Sequence, residues 1–177
     1  KIILLISNNT KCGAVKYAIE RKIDYKIINN FRFPLEKDKN KEYKFVLNNY
    51  NPDLILLAGF MKKIPESIVQ RYKNKIMNVH PSLLPKYGGK GFYGIKVHEA
   101  VIKSKDKMTG VTIHFVNNDY DRGPIIMQEK VIVKDNDNAI TLSNKVLEKE
   151  YSLYIKAVDL FCRDKININN DIVRIND

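Results

Sequence analysis

Cysteine is almost absent, with only Cys12 and Cys162 among 177 residues. Two thiols so far apart in sequence form neither a disulfide framework nor a metal-ligand spacing, so a reducing, cytoplasmic setting is expected. Histidine is nearly as scarce. His80, His98 and His114 have no supporting Cys or Glu spacing, and no metal is expected. No apolar run approaches the roughly 20 residues of a membrane span, which argues against a membrane partner. The opening Lys1 to Ser7 is too short for the apolar region of a secretory signal and reads as a buried strand. Arginine is confined to positions 21, 32, 71, 122, 163 and 174, so the formal charge of +11 is carried almost wholly by dispersed lysine. A nucleic-acid interface would cluster its charge and interleave aromatics, and no nucleic-acid partner is expected. A general positive field would still help to attract a polyanionic small molecule.

The length suits one sizeable core, and residues 1–177 read as a single domain without internal repeats. Apolar runs at Ile2–Ile6, Tyr25–Ile28, Leu54–Ala58, Ile76–Val79, Val111–Val116 and Ile125–Val133 predict strands. Helical length or spacing falls between them, at Gly13–Arg21, Glu36–Asn49, Pro65–Tyr72 and Gly94–Lys105, and a long final helix spans about Asn138–Arg163. Alternation of this kind gives an α/β fold: an open, mainly parallel twisted sheet with flanking helices. The first four strands should be parallel, and the last two, joined by the tight Asn117–Gly123 connection, an antiparallel pair. The polar tail 167–177 is expected to fray.

The chemistry concentrates in Asn78-Val79-His80-Pro81-Ser82-Leu83-Leu84-Pro85 and, further on, Asp121-Arg122-Gly123-Pro124. Asn78 and His80 sit at the end of a strand, where alternate side chains face one side and Val79 faces the other. Together they offer hydrogen-bond donors to an oxygen that gains negative charge as a carbonyl is attacked. A carboxylate beside the imidazole, from Asp121, would hold the ring and raise its pKa. In an open sheet of this type ligands bind beyond the carboxyl ends of the strands, where Ala58-Gly59-Phe60-Met61 also emerges, and Gly59 permits close approach. Taken singly, each residue has a plainer reading: Asn78 and Asp121 as turn formers, His80 as a core histidine. His98, among Val97, Ala100 and Val101, reads as structural, and His114 as a supporting partner near Asp121. Ser82 has no His and acid arrangement of its own and does not read as a nucleophile.

With those flanks the chain resembles the glycinamide ribonucleotide formyltransferases of the folate-dependent formyltransferase family. The likeness rests on NVHPSLLPKYGG, on LAGFM (Leu57 to Met61) and on Asp121-Arg122-Gly123-Pro124, and it covers nearly the whole chain. Relatives that formylate methionyl-tRNA or sugar amines, or that hydrolyse formylfolate, share the Asn, His and Asp. The hydrolase usually reads His-His-Ser-Phe-Leu-Pro where this chain has His80-Pro81-Ser82-Leu83-Leu84-Pro85. The tRNA enzyme usually has Arg-Gly-Ala-Ala-Pro where this chain has Gly88 to Gly94.

The resemblance implies a Rossmann-like enzyme of purine (IMP) synthesis, monomer or homodimer, that moves the formyl group of 10-formyltetrahydrofolate to glycinamide ribonucleotide. It implies catalysis by Asn78, His80 and Asp121. The formylfolate would lie against Met61, Ile64, Val69 and the backbone of Val116, Asn117, Asn118 and Asp121. Gly59, Pro81 and Glu150 would face the substrate, with Glu150 on its ribose, although Tyr151 replaces the His of the family's Glu-His-x-x-Tyr stretch. The family's opening strand and glycine-rich phosphate loop have no counterpart: Leu5-Ile6-Ser7-Asn8, Gly13 and Tyr17-Ala18 fit its second strand and helix. The expectation is therefore an incomplete sequence lacking the first βα unit. A sugar-nucleotide N-formyltransferase and a non-catalytic folate-binding or basic nucleic-acid-binding protein are the alternatives.

Overall fold

Residues 1–176 are described in a computed structural model of the chain, and they fall into two units, Lys1–Asp53 and Leu54–Asp177. In the first, β1 (Leu4–Ser7) and β2 (Asp24–Ile27) pair in parallel, linked through α1 (Gly13–Glu20). Val15 and Ala18, three apart and so on one face of α1, are its buried residues. The longer α2 (Glu36–Tyr50) carries Glu36 and Asp38 in its first turn, where the helix dipole favours acids, and stops at Asn51 in the left-handed region, just before Pro52. Lys39 is buried on it. Its ammonium bonds Asn30 Oδ1 at 2.6 Å and Glu36 Oε2 at 2.8 Å, which keeps the buried charge paired.

The second unit contains a four-stranded sheet in the order β3 (Ile55–Leu57), β4 (Ile76–His80), β5 (Met108–Phe115), β6 (Ile125–Ile132). β3 and β4 are parallel across α3 (Glu66–Arg71), β5 runs antiparallel to β4, and β6 is antiparallel to β5. The helix α4 (Ile95–Lys103) precedes β5. The last helix, α5 (Ala139–Cys162), packs on β5, β6 and α4 and is opened by a capping box between Asn138 and Thr141. The core is formed by Met77, Val111, Ile113 and Phe115 from the sheet against Val101 of α4 and Leu142, Val146, Leu153 and Ala157 of α5. The α5 residues recur at intervals of four, seven and four, as one buried stripe requires.

The tail differs from the expectation of fraying. Ile166–Asn169 (β7) and Ile172–Ile175 (β8) form an antiparallel hairpin, and Asp177 lies outside the described residues. Its two linking residues, Asn170 and Asp171, have φ of 49° and 60°, a pair of left-handed conformations that suits a two-residue hairpin turn. Ile166, Ile168 and Val173 pack against the core cluster, and the alternating Asn167 and Asn169 are exposed.

The tight turn between β5 and β6 leaves no room at Gly123, where a Cβ would strike the carbonyl of Phe115. Gly123→Ala is therefore expected to destabilise the chain by about 3 kcal/mol or more, since backbone must move to admit the methyl. Urea unfolding of the two proteins checks this through a lowered midpoint.

Candidate functional site

A cavity of about 440 Å³ opens beyond the ends of β3 and β4, inside the second unit. The β4–β5 register sets its floor by placing Asn78 directly opposite His114 and His80 opposite Thr112. His114 Nδ1 lies 2.9 Å from the Phe115 carbonyl, which can only accept, so that nitrogen carries the proton. Its Nε2 is then the acceptor for Asn78 Nδ2 at 3.2 Å, which fixes the Asn78 amide with its NH2 inward. One hydrogen of that NH2 group stays available.

His80 is 4 % exposed, and its Nε2 lies 2.7 Å from the Tyr87 carbonyl. The same reasoning puts a proton on Nε2 and leaves Nδ1 to face Asp121 Oδ2 at 3.6 Å. His114 Nε2 lies 3.7 Å from Asp121 Oδ1, and the Gly89 amide donates to Asp121 Oδ2 at 2.8 Å. The two imidazole separations exceed hydrogen-bonding distance. Asp121 holds this position from a left-handed backbone, φ 54°, on the loop between β5 and β6. Close approach is helped by Gly88, where an added Cβ would lie 2.5 Å from Leu84 Cδ2 and 3.2 Å from Asp121 Cβ.

Electrostatics at the pair depart from the sequence expectation in one respect. Burial lowers the His80 pKa below its ordinary 6.5, and the opposing pull of Asp121 and the Tyr87 carbonyl does not reverse it. Burial thus favours the neutral imidazole. Burial pushes the Asp121 carboxyl up, but the His114 imidazole, the His80 charge and the Gly89 amide outweigh it and bring the group below 3.8. Glu150, half-buried on α5 and without an ion pair among the described residues, has its pKa raised by burial.

Of the residues singled out in the sequence, Gly59, Met61, Ile64, Asn78, His80, Pro81, Val116, Asn117, Asn118, Asp121 and Glu150 all line the cavity. Val69 does not: it is buried on α3, facing the interior. His98 is buried on α4 beside Val97 and Val101, as its structural reading expects. It lines the cavity, is 3 % exposed, and has an Nδ1 without a hydrogen-bond partner. Phe92 and Tyr93 at the mouth, and Ser143 and Leu147 on α5, were not singled out. The α5 pair was reachable by stepping back from Glu150 one and two helical turns. Ser82 is fully buried with its hydroxyl donated to the Lys86 carbonyl, so it is not placed to attack a ligand. Among the described residues no three His, Cys, Asp or Glu converge as a metal site would require, and no helix is long and apolar enough to cross a membrane.

A family described as "Formyl transferase" matches residues 1–158. The chain belongs to the formyl transferase family. It is 41% identical over 171 residues to the chloroplastic phosphoribosylglycinamide formyltransferase of Arabidopsis thaliana, a match that takes in 96% of this chain and 59% of that protein. It is 30% identical over 172 residues to the phosphoribosylglycinamide formyltransferase of Haemophilus influenzae, covering 97% of this chain and 79% of the relative. The crystal structure of phosphoribosylglycinamide formyltransferase from Anaplasma phagocytophilum superposes with a TM-score of 0.87 at 35% identity, over 100% of this chain and 82% of that one. The α/β architecture is thus that of the family, and the chain spans between half and two thirds of the length of the plant relatives it matches.

The electrostatic picture is open to a direct titration. In histidine-resolved NMR of the ligand-free protein, His80 is expected to titrate below 6.5. Asp121→Asn should move it lower still, because the carboxylate favours the charged ring. A His80 value above 6.5, or one that rises in the variant, would contradict the assignment of burial as the controlling cause.

Proposed function

We propose that this chain, as one catalytic domain, transfers the formyl group of 10-formyltetrahydrofolate to the amine of 5'-phosphoribosylglycinamide, a step of purine synthesis. The observation that carries the reading is the convergence of an amide, a buried neutral imidazole and a carboxylate on one cavity, Asn78, His80 and Asp121, in a chain of this family. The names of the plant and bacterial relatives support the choice of amine.

The reaction needs an oxyanion donor and a proton carrier. A neutral amine attacks the formyl carbon; the new C–N bond forms as the carbonyl electron pair moves to oxygen. The free N–H of Asn78 donates to that oxygen. The surplus ammonium proton passes to His80 Nδ1, the nitrogen left without one, and the resulting imidazolium is held by Asp121 at 3.6 Å. When the oxyanion collapses, the bond from carbon to folate N10 breaks, N10 takes the proton from Nδ1, and both groups return to their starting states. No acyl-enzyme is required.

Met61 and Ile64, with the backbone from Val116 to Asn118, supply an apolar wall and peptide groups suited to the folate ring system. Gly59 and Pro81 border the amine side, and Glu150, half-buried in the cavity wall, is suited to ribose hydroxyls. The reading carries a cytoplasmic setting, a monomer or homodimer, and no nucleic-acid or membrane partner.

Incubating purified protein with 10-formyltetrahydrofolate and either glycinamide ribonucleotide or an amino-sugar nucleotide tests the proposal. Formylated glycinamide ribonucleotide is the expected product; transfer to the amino sugar alone would replace the reading. Asn78→Ala and Asp121→Asn should each cut kcat on the order of a hundredfold or more while folate affinity changes far less, because each acts on charge that develops during reaction. Near-normal turnover in both would remove these residues from the mechanism.

A further inference from the structure

Asp106 takes no direct part in the cavity. It sits on the turn between α4 and β5, and its Oδ2 accepts from two consecutive residues, the Lys86 ammonium at 2.7 Å and the Tyr87 phenol at 2.9 Å. Tyr87 is the residue whose carbonyl accepts from His80 Nε2 at 2.7 Å. Its backbone is in the left-handed region, φ 54°, a conformation that a bulky side chain adopts only when its surroundings enforce it. Those surroundings are identifiable. The phenol is tied to Asp106, the ring meets Phe92 edge-on at 6.0 Å between centroids, and the preceding carbonyl of Lys86 accepts from the buried hydroxyl of Ser82.

We propose that Asp106 is a positioning residue for His80, acting through Tyr87. By anchoring the phenol, it holds the strained Tyr87 backbone with its carbonyl turned to His80 Nε2. That carbonyl selects the His80 tautomer with the proton on Nε2 and keeps Nδ1 free toward Asp121 and the cavity. Release of the phenol lets the Tyr87 peptide relax out of the left-handed region; Nε2 then loses its acceptor, and the proton can sit on either nitrogen. The other groups acting on His80 come from separate elements: Asp121 on the β5–β6 loop, His114 on β5 and His98 on α4. None of them accepts from Nε2, so none can substitute for the carbonyl. The inference rests on the formyl-transfer reading for its effect on rate, but the tautomer itself does not depend on that reading.

The test is nitrogen-15 NMR of the histidines in the full chain, with rates measured in parallel. Above its titration range, wild-type His80 should show the Nε2–H tautomer. Tyr87→Phe and Asp106→Ala should both give mixed tautomers and a lower His80 titration point, since the lost hydrogen bond favoured the charged ring. Each should also reduce kcat on the order of tenfold or more, with KM changing less. Lys86→Met, which spares the phenol tie, should leave the tautomer signature in place. A wild-type signature in folded Tyr87→Phe and folded Asp106→Ala would overturn the proposal. Wild-type protein without formyl transfer would count against the proposed function alone, because the tautomer result decides the positioning role by itself.

Discussion

The hydrogen bond from His80 Nε2 to the Tyr87 carbonyl constrains the rest of the site. A backbone carbonyl can only accept, so the imidazole proton is committed to the interior and the basic nitrogen to the cavity. The carboxylate of Asp121 is then useful for one state of the ring only, the imidazolium. Burial disfavours that state, and in the proposed reaction a proton arriving from substrate would create it 3.6 Å from the carboxylate. The same logic runs through His114, where the Phe115 carbonyl commits Nδ1 and thereby orients Asn78. Two backbone acceptors set the direction of three side chains.

Those acceptors are held by an extensively cross-linked turn. Thr112 Oγ1 on β5 donates to the Ser82 carbonyl and accepts from the Leu84 amide and from Gln128 of β6. Gln128 also reaches the Leu84 carbonyl. On the other side of β4, the Tyr154 phenol of α5 donates to the carbonyls of Leu57 and Met77, tying the ends of β3 and β4 next to Asn78. Each such bond is worth about 1 kcal/mol net, but a buried carbonyl stripped of its donor costs more, which is how a modest network can hold geometry firmly. Several members are buried, so the turn that shapes the site is continuous with the core.

Much of the fold was legible because it is written in short-range pattern. Runs of Ile, Leu and Val fixed the six main strands to within a few residues, and Asn51-Pro52 marked the end of α2. The β7–β8 hairpin was not legible: its asparagines read as tail composition, although Ile166 and Ile168 alternate as a strand requires. The site was legible where residues leave strand ends, as with Asn78, His80 and Gly59. It was not legible where it depends on register or on distant backbone. Nothing in the local sequence says that the Tyr87 carbonyl accepts from His80, that Asp106 grips the Tyr87 phenol, or that α3 turns Val69 inward. The direction of the His80 shift was missed for the same reason, since burial is a property of packing and outweighed the neighbouring carboxylate.

If His80 and Asp121 work as one proton-carrying unit, their contributions cannot be independent. A double-mutant cycle on kcat, with His80→Ala, Asp121→Asn and both together, measures this most directly. The account predicts strong non-additivity, the double variant being little slower than the slower single one. Two losses that simply multiply would contradict it and would mean that the carboxylate acts on the reaction by a route that does not pass through the imidazole.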